Sequence, residues 1–312
     1  MFNLREMAQI KAWQLRLAVF IGAVTMLVGC GGSQPPIAAP GAIPQSRVSS
    51  GYGYNTLYSF GKRSSDGKEP KAALIDVNGT LYGTTFGGGS FTCGGCGTVF
   101  KIKPSGKETV LYRFVGGNDG ANPSASLLAV KGVLYATTEY GGSGGTGEGT
   151  AFKIGMDGTE KVLHNFGPEP DGANPVASLI DVKGRLYGTT SNGGSNEYYG
   201  TVFSISTTGR EKVLYSFGLY GDGANPMGNL LDVNGTLYGT TDWGGQKFSS
   251  YLGAGTVFGV SMTGSEKTLY AFLGEQYNGN GAAPEAGLVN VKGALYGTTG
   301  YGGQNFGGTA FS

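Results

Sequence analysis

Two carboxylates at equivalent places in this sequence could support acid–base chemistry. Glu139 and Asp242 each follow a Thr-Thr pair and precede an aromatic residue and a Gly-Gly pair. Glycoside hydrolysis uses two carboxyl groups about 5–10 Å apart across a cleft. Glu139 and Asp242 are therefore candidate catalytic residues if the fold brings them face to face. The alternative is that they are exposed loop residues without a catalytic role.

The residue that follows each of these carboxylates belongs to a position that varies between repeats, called here the aromatic position. It is occupied by Tyr140, Trp243 and Tyr301 in three repeats and by Gly87 and Asn192 in the other two. Exposed tyrosine and tryptophan offer flat apolar faces with a polar tip, which suit stacking on sugar rings or contacts with proteins. We expect the three aromatic residues to bind a ligand. The alternative is that they are exposed loop residues of no functional consequence.

The cysteines and the histidine are the remaining reactive side chains. Cys93 and Cys96 lie three residues apart in a glycine-rich loop, and in an exported chain they favour a local disulfide. A redox motif would need a βαβ context, and a zinc site would need two more ligands. His164 stands where the other repeats have tyrosine, which predicts a packing role. We predict neither a metal site nor a cofactor.

The elements that position these residues come from an internal repeat. The phrase LYGTT or LYATT begins at residues 81, 134, 186, 237 and 295. GTVF-like and LYSF-like phrases also recur five times, and successive LYSF-like phrases begin 51 to 55 residues apart. A fixed period of this size indicates a repeat architecture, in which neighbouring units stack to bury one continuous core.

Each unit contains four short alternating runs separated by turn residues. In the third unit they cover residues 175–182, 185–190, 200–206 and 211–217, and we call them strands A, B, C and D. Four short strands in about 50 residues are typical of a β-propeller blade. The A-B and C-D turns are short, whereas the B-C loops vary. Variable loops on one face usually mark a binding face.

The chain opens with a lone D-type run at residues 55–60 and closes with an A-B-C set at residues 286–312. We therefore predict an all-β fold, a five-bladed β-propeller of four-stranded antiparallel blades that is closed by the N-terminal strand. Closure would remove exposed sheet edges. An open stack of sheets is the alternative. On closure, the B-C and D-A loops share the face that we expect to bind a ligand.

The N-terminus predicts export and anchoring. Residues 1–29 combine three basic residues with an apolar run that is too short to span a membrane comfortably, as in a secretory signal peptide. The following Cys30 completes a Leu-Val-Gly-Cys sequence that resembles the bacterial lipobox, which implies lipidation of Cys30. An ordinary signal peptide or an uncleaved anchor is the alternative. Residues 30–53 form a tether and residues 54–312 the repeat domain. Gly31 after the cysteine implies, by the same resemblance, the outer membrane or cell surface of a bacterium.

Charge excludes one class of partner. The chain has 22 Lys and Arg against 21 Asp and Glu, without a basic cluster, which argues against nucleic acid. The predicted partners are the membrane, through Cys30, and a glycan or surface protein.

Three phrases that recur together, GTVFKI, VLYSF with DGANP, and LYGTT with Gly-Gly, resemble the GloVer tandem-repeat family of exported bacterial proteins. The resemblance covers about residues 55–312 and implies a surface or secreted repeat protein without established catalytic residues. The first and fifth units depart from it, with DGKEP and NGNGAAP in place of DGANP. We therefore expect a binding module, with a carbohydrate-active enzyme and a purely structural surface protein as the alternatives.

Overall fold

The computed structural model describes residues 54–89, 93–143, 147–167, 169–195, 198–218, 221–245, 253–274 and 280–312. Its contacts divide the chain into two compact parts, Met1–Asn55 and Thr56–Ser312. The predicted signal peptide, Cys30 and the tether lie outside the described residues. Within the described part, no helix is both long enough and apolar enough to cross a membrane.

The described domain is built almost entirely from antiparallel strands in the predicted order. The A strands are Ile75–Val77, Leu128–Val130, Ile180–Val182, Leu231–Val233 and Val289–Val291. The B strands are Thr80–Thr85, Val133–Thr138, Arg185–Thr190, Thr236–Thr241 and Ala294–Thr299. The C strands are Thr98–Ile102, Thr150–Gly155, Thr201–Ser206, Thr256–Ser261 and Thr309–Phe311. The D strands are Glu108–Arg113, Glu160–Asn165, Glu211–Ser216 and Glu266–Ala271. Two short 3-10 turns lie at Gly117–Asp119 and Gln304–Phe306.

Each of the first four units folds into one sheet with the strand order A-B-C-D. Sequence chemistry explains the A-B turns. In the third unit, Lys183 and Gly184 have φ angles of 54° and 85°, which is the conformation of a two-residue hairpin turn that follows the strand twist. The Gly184 N–H donates to Oδ1 of Asp181 at 2.9 Å. The Asp-Val-Lys-Gly sequence therefore encodes the turn and its register.

Successive sheets pack against each other through apolar clusters. A phenylalanine at the end of each D strand meets the C-strand phenylalanine of the next sheet, as in the edge-to-face pair of Phe166 and Phe203 with centroids 5.0 Å apart. Gly188 of the Leu-Tyr-Gly-Thr-Thr phrase makes room for this ring, since a Cβ there would lie 2.8 Å from Phe203. The stacked sheets are propeller-like, and the all-β prediction is confirmed.

The fifth sheet differs from the other four. It contains three strands, A, B and C, in the described chain. Its Tyr296 is 44% exposed, whereas the equivalent Tyr187 is 7% exposed. No strand is assigned to the described residues 55–60, but Phe60 packs on Phe100 at 4.8 Å, as Phe166 packs on Phe203. The segment thus lies against the first sheet, and its pairing with the fifth stays a prediction.

Candidate functional site

A small ladder joins the D-A loop of every unit to the start of its B-C loop. Gly172–Ala173 pairs with Asn192–Gly193 in the third unit, and Gly223–Ala224 pairs with Trp243–Gly244 in the fourth. Equivalent single bridges or short ladders occur in the other three units. The aromatic position therefore has a fixed backbone at the same end of every sheet.

The three predicted ligand-binding residues occupy this position. Tyr140 pairs with Ala121 and Tyr301 with Ala282 through isolated bridges. Tyr140 is 44% exposed and Tyr301 is 46% exposed, while Trp243 is half-buried. Burial, followed by the nearby carboxylate of Glu139, raises the pKa of Tyr140 to about 12. The structure therefore places the three residues equivalently, and their role in binding stays a prediction.

The two predicted catalytic carboxylates lie one residue before the aromatic position, in the second and fourth sheets. The Glu139 carboxylate is the neighbour that helps to raise the pKa of Tyr140. Burial, followed by the negative charge of Glu285, raises the pKa of Asp242 to about 7. Glu139 thus interacts with Tyr140, and Asp242 interacts with Glu285. A catalytic pairing of Glu139 with Asp242 stays a prediction.

The asparagines of the DGANP loops join neighbouring units at this end of the sheets. The Asn174 side chain donates to the carbonyl of Glu139 at 3.0 Å, and its backbone N–H donates to the carbonyl of Glu148 at 2.7 Å. Asn122 and Asn225 donate in the same way to Phe86 and Ser191. Asn174 has a φ of 55°, a conformation that asparagine tolerates better than most residues. These asparagines therefore hold the loop face together.

A cavity of about 610 Å³ opens at the other ends of the strands. It lies between the third and fourth sheets and is lined in part by Lys183, Arg185, Asp232 and Met262. Arg185 begins a B strand and Thr190 ends it, so this cavity is remote from the aromatic position. It is not the cleft that the glycosidase alternative requires.

Cys93 and Cys96 are close in the structure. Their Cα atoms are 5.8 Å apart, a separation that a disulfide spans. Gly116, which follows the first D strand, faces both cysteines, because a Cβ there would lie 3.2 Å from Sγ of Cys96. The disulfide itself stays a prediction.

A set of three side chains that the sequence analysis did not predict recurs along the D strands. In the loop that follows the first D strand, Asp119 accepts hydrogen bonds from the hydroxyl of Tyr112 and, at 2.8 Å, from the backbone N–H of Val115. Burial and the negative charge of Asp119 raise the pKa of Glu160 to about 7. We call this tyrosine, the loop aspartate and the glutamate that begins the next D strand a Tyr–Asp–Glu set.

The other units repeat this arrangement with one substitution. The sets are Tyr58 with Asp66 and Glu108, Tyr112 with Asp119 and Glu160, His164 with Asp171 and Glu211, and Tyr215 with Asp222 and Glu266. The ring of His164 meets Phe166 edge-on at 4.9 Å, in agreement with the predicted packing role. Its Nε2 also lies 2.9 Å from Asp171. The three residue types recur together at equivalent positions of the repeats, and this pattern in the sequence could have revealed the sets.

The fold and this loop face define an all-β repeat protein with blade-like sheets. A family model described as the Gloeobacter/Verrucomicrobia repeat matches residues 41–252. The chain belongs to this repeat family, and the resemblance seen in the sequence is confirmed. None of the curated proteins matches the chain.

Solved structures similar to this chain include a gluconolactonase from Xanthomonas campestris, with 11% identity over 72% of this chain and 66% of that one and a TM-score of 0.41. A GH32 beta-fructofuranosidase variant from Bombyx mori, in complex with sucrose, has 11% identity over 78% and 58%, with a TM-score of 0.39. A GH43 protein from Bacillus licheniformis has 14% identity over 77% and 50%, with a TM-score of 0.39. The chain thus spans less than two thirds of each of these structures, and no functional assignment follows from similarities of this size.

Proposed function

We propose that this protein is a lipid-anchored, five-bladed propeller outside the cytoplasmic membrane that binds a glycan or a protein through its B-C and D-A loops. One observation carries the binding proposal. Tyr140 and Tyr301 each leave nearly half of their surface exposed, at 44% and 46%, although backbone bridges fix both residues at the same position of their units. Aromatic side chains on a fixed backbone lose little conformational entropy on binding.

Closure of the ring has support from two complementary apolar surfaces. Leu74 at the first sheet is 47% exposed, whereas the equivalent Leu127 is 3% exposed. Tyr296 of the fifth sheet is exposed where Tyr187 is buried. Contact between the first and fifth sheets would cover Leu74 and Tyr296 in the manner of the other interfaces, with residues 55–60 as the fourth strand of the fifth blade.

The membrane anchor is testable on the full chain. The lipobox-like sequence predicts that cells producing the protein incorporate labelled fatty acid into it. A Cys30→Ser variant should lose this label, because the thiol that accepts the lipid is gone. An unlabelled wild-type chain would favour the ordinary signal peptide or the uncleaved anchor.

The binding face is testable on a glycan array and on a panel of surface-protein extracts. Alanine replacement of Tyr140, Trp243 or Tyr301 in the full chain should weaken binding by about 1–2 kcal/mol each, or about 5–30-fold in Kd, because each removes an aromatic anchor. The matched control is Leu269→Ala on an outer strand, since Leu269 is 42% exposed. Equal binding by all the variants would contradict the proposal.

Glycoside hydrolysis with Glu139 and Asp242 is the second candidate. The observation that favours it is Asp242, whose pKa of about 7 suits a general acid at neutral pH. Turnover of a bound glycan that Asp242→Asn abolishes, while binding persists, would move the assignment to an enzyme. Binding by neither class of ligand would leave a structural surface protein.

A further inference from the structure

The Tyr–Asp–Glu set that joins the second and third units differs from the other sets at one member. His164 occupies the position of the set tyrosine, and it is the one histidine in the sequence. The ligand atoms of His164, Asp171 and Glu211 all lie within 4.8 Å of one another. An imidazole nitrogen and two carboxylates therefore converge between two neighbouring D strands and the loop that follows the first of them.

We propose that His164, Asp171 and Glu211 form a binding site for a divalent transition-metal ion of the Zn²⁺ class. One nitrogen and two carboxylate oxygens are a ligand set that such ions accept, with a fourth position left for water. Ligands that lie about 2.0–2.1 Å from zinc in a tetrahedron are roughly 3.3 Å apart. To reach that geometry, His164 and Asp171 would move slightly apart from their present 2.9 Å, and the longer separations, at most 4.8 Å, would contract.

A second observation points to a cation at this place. Oε1 of Glu211 is buried and has no hydrogen-bond partner within the described chain. Buried polar atoms are normally satisfied, and an oxygen without a partner calls for a proton, a water molecule or an ion. A metal ion between Asp171 and Glu211 would bind a carboxylate oxygen of Glu211 and offset the repulsion of the two carboxylates.

Comparison with the other sets shows why metal binding requires the histidine. Glu108 and Glu160 also have a buried oxygen without a partner in the described residues. In their sets a tyrosine hydroxyl donates a hydrogen bond to the aspartate, and that of Tyr58 donates to Asp66 at 3.0 Å. The tyrosine hydroxyl occupies the position at which His164 has a ring nitrogen. Unlike the donating hydroxyl, this nitrogen can bind a metal through its lone pair. In the fifth unit, Asn280 replaces the aspartate and removes a carboxylate. Among the described residues, the set of His164, Asp171 and Glu211 is therefore the one suited to a metal.

A charged imidazole offers the competing explanation. A protonated His164 could form an ion pair with Asp171, since the two atoms are 2.9 Å apart. A proton and a metal ion compete for the same nitrogen. Direct measurement of metal binding therefore separates the two explanations.

The test uses the full chain in detergent, without a polyhistidine tag and with Cys93→Ser and Cys96→Ser, so that no other imidazole or loop thiol takes up the metal. Equilibrium dialysis against Zn²⁺ should give one ion per chain. The proton NMR signals of the single imidazole should shift on binding. No bound ion, with unshifted imidazole signals, would overturn the proposal in favour of the ion pair.

The matched variant is His164→Tyr, which recreates the set found in the neighbouring units and should therefore fold. Loss of a direct ligand should weaken Zn²⁺ binding at least about 10–100-fold, the range seen when only outer partners are removed. Unchanged affinity in this variant would show that other carboxylates hold the ion and would overturn the proposal.

A gain of binding provides the converse test. Tyr215 donates to Asp222 at 2.8 Å, beside Glu266. Tyr215→His should therefore create a second His–Asp–Glu set and raise the stoichiometry to two ions per chain. A folded Tyr215→His variant that still binds a single ion would contradict the role assigned to the histidine. None of these outcomes bears on ligand binding at the aromatic position.

Discussion

Replacing Phe203 by alanine should lower the free energy of unfolding by about 3–5 kcal/mol. Its ring is fully buried, with 0% exposure. It packs edge-on against Phe166 of the preceding sheet at 5.0 Å and fills the space left open by Gly188. The substitution removes apolar contacts from an interface between two sheets and leaves a cavity there. Urea denaturation followed by circular dichroism measures the loss.

The control for this prediction also tests ring closure. Tyr187→Ala and Tyr296→Ala change equivalent residues that differ in exposure, 7% against 44%. If the fifth sheet closes onto the first, as proposed, the two variants should lose similar stability. A much smaller loss for Tyr296→Ala would show that this face of the fifth sheet remains open. A Phe203→Ala variant as stable as the wild type would contradict the packing itself.

Gly200→Ala should destabilise the domain by about 3–5 kcal/mol, because two separate costs add. Gly200 has a φ of 85°, a left-handed conformation that is unfavourable for alanine. A methyl group there would also lie 2.8 Å from Cδ of Pro226 and would collide with the carbonyl oxygen of Thr190. The midpoint of urea unfolding measures the effect.

Gly184→Ala separates these two costs. Gly184 has the same φ of 85°, and no described heavy atom outside its immediate chain neighbours lies within 4 Å of a Cβ placed there. We expect a loss of about 1 kcal/mol for this variant, which reflects the backbone conformation alone. Equal losses at the two glycines would show that contact with Pro226 and Thr190 is not what requires glycine in the Gly-Thr-Val-Phe phrase.

The local structure of this protein could be predicted from the sequence because it depends on residues that are close together along the chain. The strand Arg185–Thr190 contains a tyrosine and two threonines, residue types that favour strands. The Lys183-Gly184 turn that precedes it has the positive φ angles that a tight hairpin needs. Recurrence of such phrases also predicted the stacked sheets, since a unit of about 50 residues with an exposed apolar face must pack against another.

The sequence also predicted which residues occupy equivalent positions in the B-C loops. It did not predict the contacts that their side chains make. Tyr140, Trp243 and Tyr301 were placed at one repeated position by the Thr-Thr and Gly-Gly pairs around them. The sequence did not reveal that Glu139 helps to raise the pKa of Tyr140 or that the charge of Glu285 helps to raise the pKa of Asp242. These couplings depend on side-chain directions and burial, which repeat spacing does not report.

By itself, the sequence determined the order of the A, B, C and D strands, the short turns between them and the family, because these follow from residue types that are neighbours along the chain. The tertiary structure decided the environment of His164. The sequence showed His164 where the other repeats have tyrosine. The loop after that strand brought Asp171 to it, and stacking of the sheets brought Glu211. Glu211 comes from the next D strand, so its approach depends on the spacing between sheets. That spacing is set by the packing of Phe166 on Phe203 and its counterparts, which no local pattern encodes.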